Sequence, residues 1–212
     1  MSILYLGTDP AHFRPDLARE SIVHYPVIKI VPRSFYHPDI QVAWSALSLY
    51  THLLFTSKNS VAVFFAFLED PSLLKDKKIC AIGEVTAHHL QKKGVKVDHI
   101  AAEETQEGMI TLLSHMDLQD AYLFFPRSSL SRPALIAFFE EKKIRYRAPV
   151  FYDTYVQKLT PLPDLGSIEE IVFTSPSTVT AFLEIFGPIP IDKKITSIGP
   201  ITHKALTNKN RA

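Results

Sequence analysis

The chain has 212 residues, 46% hydrophobic, 21% charged and 11% aromatic, with a net charge of +1. That composition can bury sizeable cores, which excludes a disordered chain, and no lysine or arginine run exceeds two residues, which excludes a broad electrostatic footprint for duplex nucleic acid. The single cysteine, Cys80, excludes an internal disulfide, and no apolar stretch approaches the roughly 18 residues that span a bilayer.

The N-terminus opens into Ile3-Leu4-Tyr5-Leu6, too short for a signal peptide, so a cytoplasmic protein is expected. From there, short apolar, β-branched runs alternate with helix-length amphipathic segments, the rhythm of parallel sheets covered by helices. Strands are predicted over Ile3–Leu6 and Val27–Val31, then a helix over Ile40–Tyr50, a strand over Leu53–Thr56 and a helix over Ser57–Leu68. A strand over Ile79–Ile82 leads to a helix over Glu84–Lys93 that Gly94 stops, and a strand over Lys96–Ile100 leads to a helix over Thr105–Met116. A strand over Tyr122–Phe125 and a helix over Pro133–Lys143 follow, then strands over Ala148–Tyr152 and Tyr155–Leu159. The last elements are a strand over Ile171–Thr174, a helix over Ser175–Phe186, a strand over Ile195–Ile198 and a helix over Pro200–Leu206.

Within this order the chain repeats itself. Phe55-Thr56-Ser57-x-x-x-Val61-x-x-Phe64 returns as Phe173-Thr174-Ser175-x-x-x-Val179-x-x-Phe182, an offset of 118 from residue 55 to residue 173. Asp76-Lys77-Lys78-Ile79-x-x-Ile82-Gly83-x-x-Thr86 returns as Asp192-Lys193-Lys194-Ile195-x-x-Ile198-Gly199-x-x-Thr202, an offset of 116 from 79 to 195. Two motifs in one order and nearly one register mark a duplicated α/β unit, and 212 residues accommodate two units of about a hundred each. Crossings are expected at the proline-broken Val31-Pro32-Arg33-Ser34 and at Phe151-Tyr152-Asp153-Thr154. They make residues 34–152 a continuous domain and residues 1–33 with 153–212 a discontinuous one. The first copy continues from Gln91 to about Met116, whereas only Thr207–Ala212 follows Leu206. The discontinuous domain is therefore expected to lack a terminal strand and helix.

Each repeated motif sits where a strand gives way to a helix, so Ser57, Thr86, Ser175 and Thr202 fall on the carboxyl edge of their sheets. Open parallel sheets bind ligands at that edge. Free amides at helix N-termini favour anions, and hydroxyls add donors without charge. Serine and threonine are also ordinary helix caps, and it is their matched recurrence that points to an anion site. Phe125-Pro126-Arg127-Ser128-Ser129 adds a cation for a carboxylate or phosphate, with a solvated surface arginine as the alternative. Tyr152 at a crossing offers a phenol able to give a proton, with a plain strand residue as the alternative. Cys80 in Ile79-Cys80-Ala81-Ile82 reads as a buried hydrophobe. No Gly-x-Gly-x-x-Gly, Walker loop or Gly-x-Ser-x-Gly elbow occurs, and nine scattered histidines with one adjacent pair, His88-His89, do not suggest a metal site.

The ordered set of Phe55-Thr56-Ser57-x-Asn59-x-Val61, Ile82-Gly83-x-x-Thr86, Glu103-Glu104-x-x-Glu107-Gly108, Phe125-Pro126-Arg127, Val150-Phe151-Tyr152-Asp153-Thr154, Phe173-Thr174-Ser175-Pro176-Ser177-x-Val179 and Ile198-Gly199-Pro200-x-Thr202 resembles the uroporphyrinogen-III synthase family. The resemblance implies two α/β domains with parallel sheets, joined by a two-stranded connector, with the ligand cleft between them. It also implies cyclisation of hydroxymethylbilane, a linear tetrapyrrole, to uroporphyrinogen III with loss of water and inversion of ring D. Tyr152 then assists departure of the hydroxyl. Ser57, Asn59, Gly83, Thr86, Arg127, Ser128, Ser175, Ser177, Gly199 and Thr202 hold the substrate. The resemblance implies no cofactor and no metal; charge and hydropathy point to no nucleic acid or membrane partner, and a monomer with transient handover from hydroxymethylbilane synthase is expected. One departure stands out: Gly7-Thr8-Asp9-Pro10 follows the first strand where many relatives have Thr-Arg-Pro, which removes a cation. The alternative from another class is a non-catalytic two-domain protein binding a tetrapyrrole or other polyanionic small molecule.

Overall fold

The computed structural model describes residues 2–11, 13 and 21–209. In chain order the elements are β1 (Ile3–Tyr5), β2 (Ile22–His24), β3 (Ile28–Pro32), α1 (Pro38–Ser45), β4 (His52–Phe55), α2 (Lys58–Phe67), β5 (Lys78–Ala81), α3 (Glu84–Gln91) and β6 (His99–Ile100). They continue as α4 (Gln106–Ser114), β7 (Tyr122–Phe124), β8 (Arg127–Ser128), α5 (Ala134–Glu141), β9 (Arg145–Arg147) and β10 (Val150–Val156). The last four are β11 (Glu170–Phe173), α6 (Pro176–Phe186), β12 (Lys194–Ser197) and α7 (Pro200–Lys209). Two compact units result: Ile30–Asp153 is continuous, and Met1–Lys29 joins Thr154–Ala212. Near both crossings β3, β10 and β8 form a three-stranded sheet, one strand more than the connector the resemblance implied.

The continuous unit carries a five-stranded parallel sheet of order β6-β5-β4-β7-β9. Its central strands are buried on both faces, so successive residues feed opposite cores. Leu53, Phe55, Ile79, Ala81 and Phe124 face one core with Phe64 and Leu90 of the helices, while Leu54, Cys80, Leu123 and Phe125 face the other with Met109, Leu135 and Phe139. Each fully buried phenylalanine contributes about 1.5–3 kcal/mol of transfer free energy, which makes Phe55, Phe64, Phe124 and Phe151 principal anchors of the first core. The helices start on hydroxyl caps: Ser57 Oγ accepts the Ser60 N–H at 3.0 Å, and Thr105 Oγ1 accepts that of Gly108 at 3.0 Å. Gly94, at φ +76°, turns the chain out of α3 in the left-handed conformation that glycine adopts without a Cβ clash.

The discontinuous unit has a four-stranded parallel sheet of order β12-β11-β1-β2. The repeat aligns β11 with β4 and β12 with β5. By position in the two sheets β1 then stands for β7 and β2 for β9, while β6 has no counterpart among the described residues. Leu4, Leu6, Ile171 and Phe173 pack against Val179 and Phe182 of α6 and Leu206 of α7. Ser175 caps α6 in a reciprocal box with Thr178.

Several elements differ from the sequence-based expectation. The two strands expected over Ala148–Tyr152 and Tyr155–Leu159 are one strand, β10, because Asp153 is held within it by a two-bond pairing with Arg33, 2.8 and 2.9 Å. The strand over Lys96–Ile100 contracts to β6, and the helix over Ile40–Tyr50 is α1 followed by a 3-10 turn at Leu47–Leu49. Three short strands, β2, β8 and β9, were not expected. No described helix is long and apolar enough to cross a membrane.

Candidate functional site

In the continuous sheet the chain order of the strands reverses between β4 and β7, and open α/β sheets bind ligands beyond the carboxyl ends of their strands at such a point. The segments leaving those two strands carry Ser57 and the Arg127-Ser128 pair. Ser57, Ser128 and Tyr152 are brought together there. Ser57 Oγ lies 2.8 Å from Tyr152 Oη. β8 pairs with β10 so that Ser128 stands opposite Tyr152, and the Ser129 N–H donates to the Tyr152 carbonyl at 3.0 Å. Tyr152 is 5% exposed. Burial pushes its phenol above the ordinary value, while the two serine hydroxyls pull it down.

Arg127 is half-buried. Its Nε donates to the Ala148 carbonyl at 3.0 Å and its Nη1 to that of Ser128 at 3.4 Å. Burial, and then the charge of Arg33, hold its guanidinium below the ordinary arginine range. Among the described residues no carboxylate forms an ion pair with it, whereas Arg33 is paired with Asp153. The site therefore contains a cation whose charge an incoming carboxylate can meet.

Asn59 lies in the first turn of α2, half-buried. Gly83 precedes α3, and Thr86 in its first turn is 4% exposed. A Cβ on Gly83 would run into the Glu104 side chain, so the Glu103-Glu104 segment folds against the start of α3. Sequence reasoning did not give Arg33, Asp153 or Gln106 a part here. Arg33 and Asp153 lay in the expected crossings, and that coincidence was the available signal for their pairing. Gln106 is 7% exposed; it donates to Ser131 Oγ at 3.1 Å and accepts the Leu135 N–H at 3.2 Å, which ties α4 to the segment beyond Ser128.

In the other unit the order reverses between β11 and β1. The Gly7 Cα approaches Thr174 so closely that an added Cβ would lie 2.7 Å from its Cγ2. Ser175 and Ser177 hydroxyls are 2.8 Å apart at the start of α6. Gly199, at φ +79°, precedes α7, and Thr202 is 3% exposed in its first turn. No group of three metal-ligating side chains occurs among the described residues.

Comparison with known proteins agrees with this architecture. The sequence model of the uroporphyrinogen-III synthase HemD family matches residues 19–211. Uroporphyrinogen-III synthase of Chlorobaculum parvum is 27% identical over 223 aligned positions, covering 95% of this chain and 87% of the relative. Two solved structures share the fold over 99% of this chain and 89% of their own. They are the uroporphyrinogen-III synthetase of Helicobacter pylori, with a TM-score of 0.65 at 21% identity, and a mutant uroporphyrinogen III synthase of Thermus thermophilus, with 0.64 at 16%. A family match along nine-tenths of its length, on a duplicated α/β framework, places this chain in the uroporphyrinogen-III synthase family.

Proposed function

We propose that the protein closes hydroxymethylbilane to uroporphyrinogen III, with Tyr152 as the proton donor. The observation that carries this reading is the phenol held at the sheet reversal beside Arg127. A phenol titrates near 10 when free, and burial raises this one further, so at neutral pH it is protonated and able to donate. The hydroxymethyl C–O bond breaks, and its oxygen takes the bonding electrons and the Tyr152 proton and leaves as water. The terminal ring then attacks through its own substituted carbon to give a spiro intermediate. Spontaneous closure gives the uninverted isomer, so much of the catalysis is positioning.

Eight substrate carboxylates suit a surface of amides and hydroxyls. In the continuous unit Arg127 and the first turns of α2 and α3, with Asn59, Gly83 and Thr86, provide such groups. In the other unit Ser175, Ser177, Gly199 and Thr202 do. We further propose a monomer that receives its unstable substrate from hydroxymethylbilane synthase.

The test is to mix the purified protein with freshly generated hydroxymethylbilane, oxidise the products and separate the type I and type III isomers. Predominant type III over a protein-free control is expected. Type I alone, from folded protein, would overturn the reading and leave a tetrapyrrole-binding protein in its place.

A further inference from the structure

Ser57 and Ser128 were expected to bind substrate, yet their hydroxyls are already committed. Ser57 Oγ accepts the Ser60 N–H at 3.0 Å and lies 2.8 Å from Tyr152 Oη. Ser128 Oγ accepts the Leu130 N–H at 3.1 Å, and the pairing of β8 with β10 sets Ser128 opposite Tyr152. A hydroxyl offers one proton and two lone pairs. In each serine a backbone N–H takes one lone pair, which leaves the O–H free to point at Tyr152. We propose that Ser57 and Ser128 are positioning residues that donate to the phenol oxygen, hold its proton toward the reacting hydroxyl and stabilise the phenolate once that proton is gone.

The inference deepens the assignment of Tyr152 as proton donor and rests on it. With both serines donating, the two lone pairs of the phenol oxygen are filled and its own O–H has no acceptor within the trio. That proton goes to the leaving hydroxyl as the C–O bond breaks. The charge left behind meets two donors already in place, which is electrostatic preorganisation. The spiro intermediate then breaks its bond to the original bridging methylene, that methylene closes onto the ring's free α carbon, and the proton lost from this carbon as the ring regains aromaticity returns to the phenolate, so the protein ends unchanged.

Two measurements on the full-length protein test this. Ser57→Gly keeps a favourable helix cap while removing the hydroxyl, and Ser128→Ala removes the other. Each is expected to lower kcat for type III formation by about 10²- to 10³-fold, as oxyanion-donor deletions do, with KM for hydroxymethylbilane unchanged. Ser57→Thr, which restores a hydroxyl, is expected to recover most of the lost rate. A raised KM at constant kcat would make both serines substrate ligands and overturn the proposal.

The second measurement needs no turnover. The alkaline absorbance titration of Tyr152, taken as the difference from Tyr152→Phe, is expected to move to higher pH in each serine variant. An unmoved midpoint would overturn the proposal even if type III product forms. If the wild-type protein forms no type III product, the assignment of function fails, and the titration still decides whether the serines act on the phenol.

Discussion

Replacing Gly108 with alanine sets two effects of opposite sign against each other. At an open helical position glycine to alanine is favourable by about 1 kcal/mol. Gly108 is in the first turn of α4, buried, and an added Cβ would run into the backbone carbonyl oxygen of Glu103. The same Cβ would sit 2.8 Å from Glu103 Cβ and 3.0 Å from its carbonyl carbon. No rotamer relieves a clash with backbone. That carbonyl also accepts the Thr105 N–H at 2.8 Å, so moving it strains the turn that presents the Thr105 cap. Overpacking of this kind costs about 1–3 kcal/mol, and loss of the Thr105–Gly108 cap bond costs about 1 kcal/mol more. The net effect is a destabilisation of about 1–3 kcal/mol. For a chain of this size about 2–4 °C in Tm accompanies each kcal/mol, so 2 kcal/mol lowers Tm by about 4–8 °C. Circular dichroism melts of Gly108→Ala and Thr105→Ala measure both parts. A Gly108→Ala protein that melts at or above wild type would refute the clash and leave helix propensity as the governing effect.

Further outcomes follow from the site and the core. Burial, with Asp98 adding to it, pushes the Cys80 thiol up to about 12, so a thiol reagent at pH 8 should react only after denaturation; stoichiometric labelling of folded protein would contradict this. The Arg33 hydrogen bond, then that of Ser129, hold the Asp153 carboxyl below the usual range. A carboxyl depressed by folding stabilises above its unfolded value, about 3.9, and that contribution is lost as pH falls through the folded value. Urea midpoints between pH 7 and pH 3 should therefore fall less steeply for Asp153→Asn than for wild type, and equal slopes would count against the pairing. Arg127→Ala should raise KM for hydroxymethylbilane by about 10- to 100-fold, the worth of a charged hydrogen bond, and an unchanged KM in steady-state assays would remove it from the substrate site.

The strands most plainly legible in the sequence include those buried on both faces. His52-Leu53-Leu54-Phe55 and Glu170-Ile171-Val172-Phe173 are buried throughout, and a parallel strand in that setting is a short, nearly continuous apolar run. The strands that escaped notice lie at edges or are very short. Arg145-Tyr146-Arg147 forms β9 at the sheet edge, where charge guards against further pairing, and Arg127-Ser128 pairs over two residues. Neither carries a hydrophobic period to read. The repeat made Ser57 and Ser175 visible as helix starts, because capping is a local property. That Ser57 faces a phenol 95 positions away is a product of sheet order and β8–β10 register, which no local pattern records.

The place of β1 in its sheet has a consequence for how the protein is made. Ile3 pairs with Ile22 on one side and Glu170 on the other, so β1 waits for its second partner strand until 167 residues later in the chain. At about 5–20 residues per second that delay is roughly 8–33 s. Ile30–Asp153 is complete 17 residues before Glu170 and carries its five-stranded sheet within one unit. During synthesis the continuous unit is thus the first able to fold, while Ile3, Leu4 and Tyr5, all buried in the finished protein, remain without β11. Slow translation between β1 and β11 lengthens that exposure, and a chaperone that shelters β1 shortens it.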